Sequence, residues 1–249
     1  MDSDNIKELE RLTQCTKTAS KCVVCGKDLG ADAIYYINGD AFCSQSCRDI
    51  SDYRDKYGAK IDKTISEYIR PIYADSDSAL LTNRFNNVEK VLGWNPAKKS
   101  PNGLIVHGKT GCGKTRCVSL LLKRLISEKL YGIERSLKVF YAGELDRAIL
   151  SAFGGNKTTY STLIEQICTA KLLVIDDFGK ERFTERFEIS VFNIFERRIS
   201  RCLPTIITTN YVGETLKSRF CDMDNFAPFY RRLIEFNDVV CLSPRKDFR

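Results

Sequence analysis

The sequence predicts an α/β fold, a five-stranded parallel sheet with helices on both faces, preceded by a small treble-clef-like zinc module. Three observations carry that expectation. Five short apolar stretches, about 103–107, 137–141, 171–176, 204–209 and 238–242, alternate with helical patterns. The first of them runs straight into a glycine-rich octapeptide, Gly108 to Thr115 (GKTGCGKT), and then into a helical pattern. Well upstream stand two close cysteine pairs, Cys22 with Cys25 and Cys43 with Cys47.

Residues 1–20 read as a polar leader, and the longest apolar runs, such as Leu172 to Ile175, fall far short of a membrane span or a signal-peptide core. A cytoplasmic protein without a membrane partner is therefore expected. In that compartment the eleven cysteines read as reduced thiols or metal ligands rather than disulfides.

Residues 21–57 form the cysteine module. Its two pairs, CVVC and CSQSC, are separated by 17 residues, so each supplies two thiolates from one turn and the loop between can fold back. That pattern suits four-coordinate Zn²⁺ held by Cys22, Cys25, Cys43 and Cys47, and a closed set of four makes the metal structural. Tyr35 to Ile37, then Asn38-Gly39, then Asp40 to Phe42 predict a hairpin with a type I′ turn. Ser44 to Tyr57 suits a short helix with Cys47 in its first turn. So small a segment buries too little apolar surface to fold alone, so the metal would supply much of its folding free energy. Unrelated thiols are the alternative; a redox pair is disfavoured because no thioredoxin-like βαβ pattern surrounds Cys22. Lys21, Lys27, Arg48, Arg54 and Lys56 are offset by Asp28, Asp32, Asp40, Asp49, Asp52 and Asp55, which leaves DNA and protein docking equally open.

Residues 58–82 read as a linker, with Pro71 as a breaker and Asp75 to Ser78 (DSDS) as a turn or helix cap, ahead of an ATPase domain over 83–249. Within that domain Leu104, Ile105 and Val106 make a strand entering Gly108, and Cys117 to Leu130 continues as a helix with Val118, Leu121, Leu122 and Leu125 on one face. This context identifies a phosphate-binding loop. Gly108, Gly111 and Gly113 let backbone N–H groups converge on phosphate, with Lys109, Thr110, Cys112 and Arg116 completing the nucleotide-contacting stretch. Lys114 would reach the β- and γ-phosphates and the Thr115 hydroxyl would bind Mg²⁺, which predicts ATP as the ligand.

A second strand ends in Asp176-Asp177, the Walker B pattern. The first carboxylate can hold Mg²⁺ and the second can polarise an attacking water. A third strand, Thr205 to Thr209, delivers Asn210 to the same edge of the sheet. Lone His107 reads as a packed or solvent-facing histidine, and Trp94 as core.

From Tyr73 to Leu242 the chain resembles the DnaC/IstB group of AAA+ ATPases, which includes replicative helicase loaders and transposition helpers, and it looks most like the ATP-binding proteins of phages and mobile elements. The resemblance rests on IYADSD, GKTGCGKTR, YAGEL, LLVIDDFG, TIITTN and FAPFYRRLIEF, spread over about two thirds of the chain. It implies that Asn210 takes the sensor 1 place. It also implies that Arg232, with Arg231 second and Arg219 in reserve, reaches the nucleotide of a neighbouring subunit in a nucleotide-dependent homo-oligomer. Arg245, in SPRKDFR after the last strand, would stand in a sensor 2-like place, where many members carry a helical lid.

The implied activity is hydrolysis of ATP to ADP and phosphate, weak until stimulated, in loading or remodelling a replicative helicase on single-stranded DNA. A transposition helper that guides a transposase on double-stranded DNA, and a non-hydrolysing nucleotide-sensing adaptor, are the alternatives; a small-molecule kinase calls for neither TTN nor RRL. A net charge of +7, from 39 Lys and Arg against 32 Asp and Glu, favours a polyanionic partner without naming it.

Overall fold

The computed structural model describes residues 21–29, 35–37, 40–96, 103–128, 136–141, 143–154, 157–181, 183–221 and 223–245. The expected leader, the Asn38-Gly39 turn and the stretch from Lys246 onward lie outside them. The chain divides into two compact units, 1–60 and 61–249.

In the first unit β1 (Tyr35–Ile37) pairs antiparallel with β2 (Asp40–Phe42), Ile37 opposite Asp40. The first cysteine pair sits in a tight turn, where Gly26 N donates to Cys22 O at 2.9 Å and Cys22 N to Lys27 O at 2.8 Å. Val23 N donates to Ala41 O at 3.1 Å and fastens that turn to β2. Helix α1 (Gln45–Tyr68) follows, with Ser44 Oγ accepting from Cys47 N at 3.3 Å as its cap. The helix is longer than the short one expected. Gly58 does not stop it, no proline intervenes before Pro71, and its later residues Ile61 and Thr64 are buried, so tertiary packing sustains what propensity left undecided.

In the second unit a short 3₁₀ turn (Pro71–Tyr73) leads to α2 (Ser78–Arg84). Asp77 caps α2, its Oδ1 accepting from Ala79 N at 2.7 Å, so the DSDS stretch acts as the cap. Then come β3 (Phe85–Asn86), α3 (Val88–Leu92), β4 (Gly103–His107), α4 (Lys114–Ser127), β5 (Leu137–Phe140), α5 (Glu144–Gly154) and α6 (Lys157–Thr169). The chain continues with β6 (Leu172–Phe178), α7 (Glu185–Ser200), β7 (Thr205–Thr209), α8 (Glu214–Lys217), α9 (Met223–Glu235), β8 (Asn237–Cys241) and β9 (Ser243–Pro244).

All five expected strands form one sheet in the order β5-β6-β7-β4-β8, every pair parallel. Leu104, Ile105 and Val106 are buried without alternation, as strands covered on both faces must be. One face carries an aromatic cluster in which Phe178, Phe183, Phe187, Phe195 and Phe229 pack edge-on or tilted, with centroids of Phe183 and Phe187 at 5.3 Å. Trp94 is buried, as expected.

Arg198 in α7 is fully buried without a carboxylate among its described hydrogen-bond partners. It donates to Thr205 Oγ1, Ile167 O, Ala170 O and Pro204 O at 2.6–2.9 Å, tying the end of α6 to the start of β7. Burial pulls its pKa down to about 10, which still leaves it cationic at neutral pH. A second, two-stranded sheet pairs β3 with β9, Phe85 opposite Pro244. Among the described residues no helix is long and apolar enough to cross a membrane.

Candidate nucleotide-binding site

The central strands β6, β7 and β4 are neighbours, and their carboxyl ends carry Asp176 and Asp177, Asn210, and the loop from Gly108. Helices must cross back over the faces of a parallel sheet, so the polar residues at these strand ends face a common crevice.

The phosphate-binding loop turns tightly against the C-terminal segment. A Cβ on Gly108 would stand 2.3 Å from Leu242 O, so only glycine fits there. Gly113, at φ +80°, caps α4, which begins at Lys114 and aims its free N–H groups at the loop. Lys114 is only 6% exposed. Its Nζ donates to Gly108 O at 2.9 Å, Lys109 O at 3.2 Å and Asn210 Oδ1 at 2.6 Å, and Asn210 Nδ2 donates to Thr110 Oγ1 at 3.4 Å.

Thr115 Oγ1 donates to the Asp176 carboxylate at 2.9 and 3.0 Å. Thr208 Oγ1 donates to Asp176 Oδ1 at 2.6 Å and accepts from Asp177 N at 2.8 Å. The β6–β7 pairing shifts register between Ile175 and Phe178, which releases both carboxylates from the ladder. Asp177 sits at φ +59°, a backbone setting uncommon outside glycine, and its Oδ2 accepts from Lys180 Nζ at 2.6 Å.

These groups open into a cavity of ≈ 470 Å³, a volume suited to a nucleotide. Its lining comprises Thr110, Gly111, Gly113, Lys114, Thr115, Arg116, Asp177, Lys180 and Asn210 from the loop and strand ends, and a second wall of Tyr73, Asp75, Asp77, Leu80, Leu81, Arg84 and Phe85 from the segment before β4. The second wall was not foreseen as a site. Its residues lie in the stretch read as linker and at the start of the domain, and only its apolar residues beside an acidic helix cap hint at a pocket. Thr208 and Lys180 were also missed, because a threonine inside a strand and a lysine after a turn carry no pattern of their own.

Arg232 and Arg231 are not among the residues lining the cavity. Arg232 Nε bonds Glu196 Oε1 at 2.9 Å on α7, while Arg231 is 84% exposed and reaches Glu235 at 3.8 Å. Arg219 donates to Gly179 O at 2.9 Å and Glu181 O at 3.0 Å, which makes it a brace of the turn after β6. The Arg245 main chain donates to Arg84 O at 2.9 Å, yet its side chain does not line the cavity, whereas Arg84 does. His107 is half-buried, and burial, with the nearby Lys114 charge, lowers its pKa.

In the first unit the sulfurs of Cys22, Cys25, Cys43 and Cys47 lie within 4.8 Å of one another, with Cys25–Cys43 and Cys43–Cys47 both at 3.5 Å. Tetrahedral zinc with Zn–S bonds near 2.3 Å would space its sulfurs by about 3.8 Å, so the four thiols fit that ion. Burial pushes Cys47 up to about 12, while for Cys22 burial is outweighed by backbone N–H groups that take it down to about 6.

No family model and no curated protein sequence matches the chain. Solved structures do. The DnaI structure superposes with a TM-score of 0.53 at 17% identity, covering 73% of this chain and 94% of that one. The DnaC helicase loader gives 0.51 at 22% identity, covering 70% and 100%. Domain III of the Thermotoga maritima replication initiation protein DnaA gives 0.50 at 15% identity, covering 72% and 70%. With its parallel β5-β6-β7-β4-β8 sheet and phosphate-binding loop, the chain has an α/β P-loop NTPase fold similar to that of these three structures.

Proposed function

We propose that this chain is an ATPase that acts in DNA replication by loading or remodelling a replicative helicase on single-stranded DNA. The observation that carries the ATPase reading is the convergence of Lys114, Thr115, Asp177 and Asn210, from three neighbouring strand ends, on one cavity, with Asp176 buried behind Thr115. The helicase reading rests on likeness of fold to DnaI and to the DnaC helicase loader.

Backbone N–H groups of the loop and the start of α4 receive the phosphates, and Lys114 exchanges its carbonyl partners for phosphate oxygens. Thr115 and Asp176 would hold Mg²⁺, which supplies charge neutralisation between the β- and γ-phosphates. Asp177 orients and polarises the attacking water, and Asn210, already bonded to Lys114, fixes the γ-phosphate end. A guanidinium brought by a neighbouring subunit, Arg232 first and Arg231 second, would stabilise the charge spread over the transferred group and make hydrolysis depend on a homo-oligomer. Cys22, Cys25, Cys43 and Cys47 would hold zinc, which would keep the small module folded.

The test is turnover of ATP by the full chain, alone and with single-stranded DNA and the host's replicative helicase. The expected result is weak basal hydrolysis that rises when both are added. Turnover by a protein that binds neither DNA nor helicase would end the loader reading while leaving the ATPase intact.

A further inference from the structure

We propose that Lys180 reads the terminal phosphate of the bound nucleotide, leaving its resting partner Asp177 for that phosphate and so uncovering the carboxylate that activates water. The inference rests on the ATPase reading above and adds to it a residue and a discrimination between ATP and ADP.

Lys180 Nζ lies 2.6 Å from Asp177 Oδ2, and both side chains line the cavity together with Lys114, Thr115 and Asn210. Thr115 bonds Asp176, whose chain neighbour Asp177 bonds Lys180, so the ammonium is linked to the groups assigned to Mg²⁺ and the attacking water. The backbone beneath it is fixed. Lys180 N donates to Asp177 O at 3.2 Å, Gly179 N to Glu181 Oε2 at 2.8 Å, and Arg219 grips Gly179 O and Glu181 O. A Cβ at Gly179 would come within 2.7 Å of the Tyr211 ring, so the turn is packed closely against it.

The lysine side chain does have room, being 44% exposed on a flexible four-carbon stem. Of the other cations at this cavity, Lys114 is buried among its acceptors, Arg116 stands over the Tyr73 ring at 5.8 Å, and Arg84 ends α2. Lys180 alone among the described lining cations is joined to the carboxylate that the reaction needs. While the pair holds, Asp177 Oδ2 has an acceptor position occupied by an ammonium rather than by water. A terminal phosphate carries more negative charge than one carboxylate and competes for that ammonium, which keeps its proton throughout. ADP brings no such group to the position, so it leaves the pair closed.

The experiment measures binding of ADP and of a non-hydrolysable ATP analogue, both with Mg²⁺, to the full chain and to Lys180→Met and Lys180→Arg. The native protein is expected to prefer the analogue, Lys180→Met to lose about tenfold of analogue affinity with ADP unchanged, and Lys180→Arg to retain most of the preference. Equal affinity of the native protein for both ligands, equal loss of both in Lys180→Met, or no loss of either overturns the inference. Should Lys180→Met fail to fold by thermal melting, Asp177→Asn serves instead: it releases Lys180 and should tighten the analogue but not ADP, and an unchanged ratio overturns the inference. Failure of the underlying ATPase reading has a different signature, since a native protein that bound neither nucleotide would refute the phosphate-binding loop itself.

Discussion

Burial holds the Asp176 carboxyl above the usual carboxylate range; the Thr208 hydroxyl opposes that rise, the Asp177 charge adds to it, and the Thr115 hydroxyl opposes it again. A carboxyl whose folded pKa is raised lends stability at low pH and loses that contribution as pH climbs through the folded value. Ionising Asp176 therefore costs the metal-free fold stability. Asp176→Asn should raise the Tm of the metal-free protein by a few degrees and abolish the further rise that Mg²⁺ and ATP give the native chain. Thermal melts with and without Mg²⁺-ATP check both halves. The same shift means that Mg²⁺-dependent nucleotide binding should weaken on acidification at a higher pH than an ordinary carboxylate would dictate, measurable by titration at stepped pH.

Arg198 makes the opposite case, a buried charge that the fold requires. Its four acceptors include three backbone carbonyls, and truncation would orphan them. Arg198→Met is expected to cost about 3 kcal/mol, roughly a 10 °C fall in Tm for a chain of this size. Denaturant melts would show it. Nothing in ERRISR separates Arg198 from its neighbours Arg197 and Arg201, because helical phase alone does not say which arginine meets carbonyls at the end of α6 and the start of β7.

At the scale of elements, the phosphate-binding loop and the strand ending in Asp176-Asp177 were legible because their chemistry demands fixed residue types at fixed spacing. The cysteine pairs were legible for the same reason. The far wall of the cavity was not, since Tyr73 and Leu80 to Phe85 belong to short elements whose shape depends on contacts with α4 and on the pairing of β3 with β9. The length of α1 was missed likewise, as the burial of Ile61 and Thr64 is a tertiary fact. For the cysteine module the fit to zinc predicts stoichiometric metal after anaerobic purification. A strong chelator, or Cys47→Ser, should unfold the hairpin and the adjoining start of α1, since structural zinc contributes on the order of 10 kcal/mol to modules of this kind. Proteolysis confined to the first unit would reveal that loss.

For the whole molecule, Arg232 does not line the cavity of its own chain, so its proposed role on a neighbouring subunit is tested only in the assembled state. Arg232→Ala should leave nucleotide binding by the isolated chain near the native value and remove the stimulated part of hydrolysis, roughly 10³-fold where a guanidinium acts in trans. Its ion pair with Glu196 is half-exposed and worth little to stability, so the melting temperature should barely move. Sedimentation with and without ATP would report whether assembly follows the nucleotide.

The proposed chemistry requires a nucleotide in the crevice lined by the Gly108–Thr115 loop and the Tyr73–Phe85 segment. The most direct measurement is calorimetric titration of Mg²⁺-ATP into the full chain and into Lys114→Ala. Saturable binding by the native protein, weakened about a hundredfold or lost in Lys114→Ala, is the predicted result. Absence of binding to the native chain, or equal binding by both proteins, would contradict the account.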